Sequence, residues 1–163
     1  MQTFLVILGF AALVGVVYLL QRLMGRGAAA VEGAITGNTR KRGLAAVRLR
    51  TEFSAPVPGP QLVARVIETL ELGERPVRGL KLAQLSTDGS AALIVQGNAL
   101  ATQLQFVLDT DPDGNGCRGF ATTMKWLESS GQIIATENIE RIHKHVRAAV
   151  EYCGGRHSER VSA

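Results

Sequence analysis

The chain is predicted to be an α+β protein: an N-terminal transmembrane helix, then a small domain whose antiparallel sheet of about five strands packs on a long C-terminal helix. The expected element order of that domain is β-α-β-β-β-β-α. Three observations predict this. Residues 4–20 carry no charge, apolar residues recur at every second position from Val47, and a helical stripe runs from Ile139 to Cys153. At 163 residues there is room for one domain of ordinary size once a targeting segment is set aside. The apolar fraction is 46%, but much of it lies in the first twenty residues, so the remainder is less hydrophobic than the total implies.

The N-terminal run reads FLVILGFAALVGVVYLL, seventeen residues without charge or proline. A helix of that length spans about 26 Å, slightly short of a hydrocarbon core, and Thr3, Gln21 and a snorkelling Arg22 extend it. No polar face exists along it, which argues against a buried core helix. A cleaved signal peptide would carry positive charge before its apolar stretch, whereas here the charge follows. Residues 1–21 are therefore expected to be a single-pass signal-anchor, with Ala11 and Gly15 offering one small-residue step for helix pairing.

Between Gln21 and Arg50 stand Arg22, Arg26, Arg40, Lys41, Arg42, Arg48 and Arg50 against Glu32 alone. Basic residues beside a span stay in the cytoplasm, so the expected orientation in the cell membrane is N-terminus outside and C-terminal domain cytoplasmic. Nucleic-acid binding would want aromatics or a recognition helix beside these charges, and NTRKRG has neither. Contact of Arg22, Arg26, Arg40, Lys41 and Arg42 with anionic headgroups is the expected use. Five glycines between positions 25 and 43 make residues 22–45 a flexible basic linker.

The soluble domain is expected over residues 46–155. Val47, Leu49, Thr51 and Phe53 alternate with charged residues in the two-residue period of a half-buried strand. APVPGP stops that strand, and Leu62, Val63, Val66, Ile67 and Leu70 then recur at helical spacing, for a helix of about eleven residues ending before Gly73. GLKLAQLS, AALIVQGN, ATQLQFVLDT and CRGFATTMKWLES follow, with turn residues between them, as an antiparallel meander. Leu104, Phe106 and Leu108 share one face of the third of these, and Phe120, Thr122, Met124 and Trp126 one face of the fourth. In the last helix Ile139, Ile142, Val146, Ala149, Val150 and Cys153 form the stripe. Thr136 is expected to cap its start and Gly154-Gly155 to end it. Residues 156–163 are expected to be a disordered tail.

The first strand and helix FSAPVPGPQLVARVIETL, the meander and the final ENIERIHKHVRAAVEY resemble the helix-grip or START-like superfamily over residues 46–153. That resemblance implies a curved antiparallel sheet around the last helix, with an apolar ligand held between them. Phe106, Met124, Trp126, Ile142 and Val146 are the residues it places at such a ligand.

Little else resembles chemistry. FVLDTDPDGNG sets Asp109, Asp111 and Asp113 at alternate positions before Gly114, as in the start of a calcium loop. The twelfth position, which should be a bidentate Glu, is Phe120, and strands flank the loop, so a hairpin turn is the expected reading over a cation site. His143 and His145 are two apart on a helix and cannot share a metal, and at least two of the three histidines, His157 in the tail among them, are expected to be solvated. Cys117 and Cys153 form no C-x-x-C; a cytoplasmic domain would keep them reduced, an external one would let them bridge. No G-x-S-x-G, phosphate loop or catalytic carboxylate pair is present, and no cofactor is expected.

The expected function is that of a membrane-anchored, non-enzymatic module. Two forms of it are open: a receptor for an apolar ligand, or an accessory subunit that docks on a larger membrane complex and has no ligand cavity. The expected partners are the bilayer and either that complex or that ligand, with no nucleic acid.

Overall fold

In a computed structural model of the chain, residues 37–73, 79–97 and 101–161 are described. The chain divides into two compact units, Met1–Thr39 and Arg40–Ala163. Of the first, residues 37–39 are described, and they are helical. The second unit holds the fold.

Residues 37–48 are helical (α1), followed by β1 (Leu49–Ala55), α2 (Gly59–Thr69), β2 (Leu80–Leu85), β3 (Ala91–Gly97), β4 (Thr102–Asp113) and β5 (Gly116–Trp126). A small hairpin, β6 (Glu128–Ser129) and β7 (Gln132–Ile133), leads into α3 (Thr136–Tyr152), and β8 (Arg156–Val161) closes the chain. Six strands form one antiparallel sheet in the order β2-β3-β4-β5-β1-β8, and β6-β7 is a separate two-stranded ribbon.

The alternation read in the sequence decides which side of each strand is covered. Phe53 and Ala55 of β1, Ile94 of β3, Leu104, Phe106 and Leu108 of β4, and Cys117 and Ala121 of β5 are buried on one face. Against them lie Leu62, Val63 and Val66 of α2 and Ile139, Ile142, Val146 and Val150 of α3, while α1 adds Ala46 and Val47 to the same core. The opposite face, with Leu93, Val107, Phe120 and Thr122 at neighbouring register positions, is half-buried.

Both long helices of the unit end in the same hydrogen-bond pattern. After α3, Gly154 N–H donates to Glu151 O at 2.9 Å and Gly155 N–H to Val150 O at 2.8 Å, with Gly154 at φ +74°. This is the paired closure that a left-handed residue permits, and glycine takes that conformation without strain. After α2 the same two bonds form, Glu71 N–H to Glu68 O and Leu72 N–H to Ile67 O, but the left-handed residue is Glu71 at φ +55°. A residue with a Cβ is strained there. Glu71→Gly is therefore expected to raise stability by about 0.5–1 kcal/mol, read as a higher denaturant midpoint with unchanged m-value.

The observed fold corrects the expected one in several places. The sheet has six strands rather than about five, and the described unit has three helices rather than two. Residues expected in a flexible linker are helical from 37 to 48, so the helix overruns Val47, where a strand was expected to begin. Apolar packing explains this: Ala46 and Val47 are buried, and Gly43 allows close approach to Ile133 and Thr136. The expected tail is instead an edge strand, because β8 pairs with β1 from Leu49↔Val161 to Ser54↔Arg156. No helix among the described residues is long and apolar enough to cross a membrane. The transmembrane helix expected over residues 1–21, with Arg22 and Arg26, lies outside the described residues.

A further correction concerns β5. The register between β4 and β5 shifts between Gln105 and Phe106, so that Phe106 opposes Thr123 while Leu104 opposes Trp126. The extra residue of this bulge reverses the alternation, and the four residues expected on one face divide. Phe120 and Thr122 oppose the outward Asp109 and Val107, whereas Trp126 opposes the fully buried Leu104. Thr136 also departs from expectation: its hydroxyl donates to Ile133 O at 2.8 Å and caps no backbone N–H, the N-cap position being Ala135.

Candidate functional site

The five residues that the helix-grip resemblance places at a ligand do not converge. Phe106, Ile142 and Val146 are fully buried and meet in the core between β4 and α3. Met124 and Trp126 lie near the far end of β5, 62% and 40% exposed. The space between sheet and last helix is filled by side chains at this point: the Phe106 ring meets the His143 ring edge-on, centroids 4.9 Å apart.

The acidic stretch is the hairpin between β4 and β5. Asp109, Asp111 and Asp113 oppose Phe120, Arg118 and Gly116 in turn. Strand geometry sets alternate residues about 6.6 Å apart, so Asp109 and Asp113 stand about 13 Å apart along the strand. Gly114, at φ +61°, starts the two-residue reversal, which is the position where such turns require glycine. No metal-holding group of acidic, histidine or cysteine side chains is found among the described residues.

Of the three histidines, of which at least two were expected to be solvated, one is buried in the core. His143 is 1% exposed, and its Nδ1 lies 2.8 Å from the Thr51 hydroxyl. Its Nε2 is buried with no hydrogen-bond partner among the described residues. Burial, with help from the Arg147 charge, pushes its pKa down to about 4. His145 is half-buried and also shifted down, by burial and by Arg141 and Lys144. His157 is half-buried on β8, with Nε2 2.8 Å from Glu151 Oε1. Both cysteines are free; Cys117 is buried, which raises its thiol pKa, and Cys153 packs partly against the core. Among the described residues neither has a general base beside it in the hydrogen-bond network.

A small recess of about 280 Å³ opens where the α2 start meets the β2-β3 and β4-β5 turns, lined by Pro58, Gly59, Asp88, Ser90 and Thr110. Its polar groups are already engaged with one another. Thr110 Oγ1 donates to Ser90 O at 2.7 Å, and Ser90 donates twice to Asp88, whose carboxyl is held down to about 2 by those bonds.

At the opposite end of β5 the molecule leaves large apolar side chains uncovered. Leu127 is 40% and Ile134 46% exposed, beside Met124 and Trp126. Leu127 and Ile134 flank the β6-β7 ribbon, and Ile134 N–H donates to Leu127 O at 3.3 Å. The register Glu128↔Ile133 makes them the next cross-strand pair, on the same side of the ribbon. Ser130 at φ +52° and Gly131 at φ +75° form the ribbon's tip, a turn in which both central residues are left-handed.

Helix α1 is seated against this end. A side chain at Gly43 would stand 3.1 Å from Ile133 Cβ, so the glycine is what lets helix and ribbon close up. Arg40 pairs with Glu128 at 3.6 Å, and Arg42 with Glu140, Nε to Oε1 at 2.7 Å, which lowers the Glu140 pKa and raises that of Arg42. Lys41 and Lys125 are exposed and make no ion pair among the described residues.

The structure thus brings α1, which the sequence reading placed in a linker, against the ribbon that follows Met124 and Trp126, through Arg40 to Glu128 and Gly43 to Ile133. It adds Leu127, Ile134 and Lys125, which that reading missed. The signal available was the stretch KWLESSGQII, in which apolar residues bracket a turn of Ser and Gly. No known protein family and no curated protein matches the chain.

Proposed function

We propose that the chain is a non-enzymatic docking module working at the cytoplasmic face of a membrane, and that it docks through the end of the domain built from the β5 exit, the β6-β7 ribbon and α1. One observation carries this: Met124, Trp126, Leu127 and Ile134 are each exposed along the β5 exit and the base of the ribbon, where Arg40 pairs with Glu128, while Phe106, Ile142 and Val146 beneath the helices are fully buried. Contiguous exposed apolar surface rimmed by polar residues marks interaction sites. The uncharged N-terminal run and the basic residues behind it favour a membrane setting. The packing of Phe106 against His143 supports docking over capture of an apolar ligand beneath the last helix.

Site-specific photo-crosslinking in membranes of cells making the full chain tests this. A crosslinker at Leu127 is expected to form adducts, whereas one at Ala148, exposed on α3, is expected to form few. Equal labelling from the two positions would remove the proposed surface.

A further inference from the structure

We infer that Cys117 and Cys153 are the two halves of a reversible redox clasp, closed by a small disulfide such as oxidised glutathione, that fastens the edge strand β8 to the rest of the sheet. They are the only cysteines in the chain, and both are free thiols. The fold brings them to one corner. Cys117, on β5, faces Ala55 across the β1 pairing, and Ala55 Cβ lies 3.0 Å from where a Cβ on Gly155 would stand. The row across the strands therefore runs Cys117, Ala55, Gly155, and Cys153 is two residues before its last member.

Side-chain direction and size favour their approach. Residues directly opposite on paired strands point to the same face, so Cys117 and Ala55 both lie on the inner side beneath α3, where both are buried. The same Cβ site on Gly155 is 2.8 Å from Val150 Cγ1, and Cys153, one helical turn beyond Val150, packs partly against the core from that side. The row between the two thiols thus holds only a methyl group and a glycine. A recess of about 450 Å³ opens at this corner, lined in part by Ala55, Cys117, Gly154 and Gly155. Burial raises the Cys117 pKa most, a hydrogen bond from the Ala55 backbone opposes it, and the neighbouring Cys153 raises it further. The bond from Ala55 draws the Cys117 sulfur toward β1, the side on which Cys153 lies. A disulfide needs Cα atoms within about 7 Å, and two successive glycines after Cys153 let the end of α3 settle to that separation.

Cys153 is half-buried and lines an open groove with Arg65 and Tyr152, whereas Cys117 is 1% exposed, so Cys153 reacts first. Its thiolate attacks one sulfur of glutathione disulfide, forming a mixed disulfide and releasing one glutathione. The Cys117 thiolate then attacks the Cys153 sulfur, the bond to glutathione breaks, and the second glutathione leaves with the proton that Cys117 gave up. Two protein thiols are oxidised and one glutathione disulfide is reduced to two thiols. Because β8 follows Gly155 directly and pairs on one side only, a bond holding the end of α3 to the start of β5 also holds the strand's entry. In a reducing compartment the clasp rests open.

To test this, the purified full chain in detergent is incubated with oxidised glutathione, acid-quenched, denatured, alkylated and weighed by mass spectrometry. The expected product is a monomer lighter by two hydrogen atoms, with no alkylatable thiol, and dithiothreitol should restore both. Closure should be at least about ten-fold faster in the folded chain than in urea, since the fold holds the thiols near each other. Cys117→Ala should stop with glutathione on Cys153, and Cys153→Ser should leave the buried Cys117 unmodified. Amide exchange along β8 should slow about ten-fold on oxidation. A wild-type chain that keeps both thiols or stops at the mixed disulfide would overturn the inference, as would closure no faster than in urea or β8 exchange that does not change.

Discussion

Phe106→Ala is expected to lower the stability of the protein by about 3–5 kcal/mol, seen as a large fall in denaturant midpoint. Phe106 is fully buried on β4, where the helix-facing side chains of the sheet meet α3. Removing the ring withdraws its apolar area and leaves a cavity between β4 and α3 that surrounding strands, fixed by pairing on both sides, close only in part. It also removes the edge-on contact with His143, so a buried imidazole loses an apolar wall. Since domains of this size are stable by only about 5–15 kcal/mol, the variant should populate unfolded chain under mild conditions. A loss below about 1 kcal/mol would mean that the ring borders open space. In that case the ligand cavity implied by the helix-grip resemblance would regain its footing.

The second large effect is acid sensitivity through His143. The imidazole faces Thr51 from β1, Phe106 from β4 and Arg147 from its own helix, with Arg147 engaged by Glu159 of β8. No carboxylate among the described residues bonds to it. Protonation would place a cation in an apolar site beside another cation, which is why its pKa falls to about 4 from an ordinary 6.5. Above pH of about 6.5 the ring is neutral folded and unfolded, and it contributes no pH dependence. Between about 6.5 and 4 the unfolded chain binds the proton and the folded one does not, so stability falls as pH falls. The full loss is roughly 3 kcal/mol, and it levels off below a pH of about 4 as the folded protein also protonates. Glu140, whose pKa is lowered by Arg42, loses its contribution in the acid range as well. His143→Leu separates the two: unfolding midpoints measured across this range should lose the slope between pH of about 6.5 and 4 while retaining the carboxylate-linked fall beneath it. A variant with the wild-type slope would assign the acid sensitivity to other groups.

How far each feature was legible follows from the range of the interaction behind it. Periodicity is local. The alternation Leu104, Phe106, Leu108 and the stripe Ile139, Ile142, Val146, Val150 give the buried faces of β4 and α3 from sequence alone, because side-chain direction repeats with the backbone. The turn residues are equally local: Gly114 reverses β4 into β5 and Gly154 terminates α3, each at positive φ. Placements decided by distant partners were not legible. RHSERV has no apolar alternation to predict β8, which exists because the unpaired edge of β1 is available to it. The burial of His143 depends on where α3 comes to rest on the sheet, and nothing beside it in the chain encodes that position.

The candidate docking end shows the same division. Its residue types were present in KWLESSGQII and in TRKRG, but their meeting depended on a glycine at position 43 letting α1 approach Ile133, and on a bulge in β5 that moved Trp126 off the face shared by Phe120 and Thr122. The sequence by itself determined the α+β class, the buried faces of β4 and α3, and the turns at Gly114 and Gly154. Tertiary structure alone decided the sixth strand, the burial of His143 and the assembly of the exposed apolar end. Hydrogen-bond periodicity and turn strain are set by a few consecutive residues, whereas strand-edge pairing, bulge register and helix docking are settled between segments far apart in the chain.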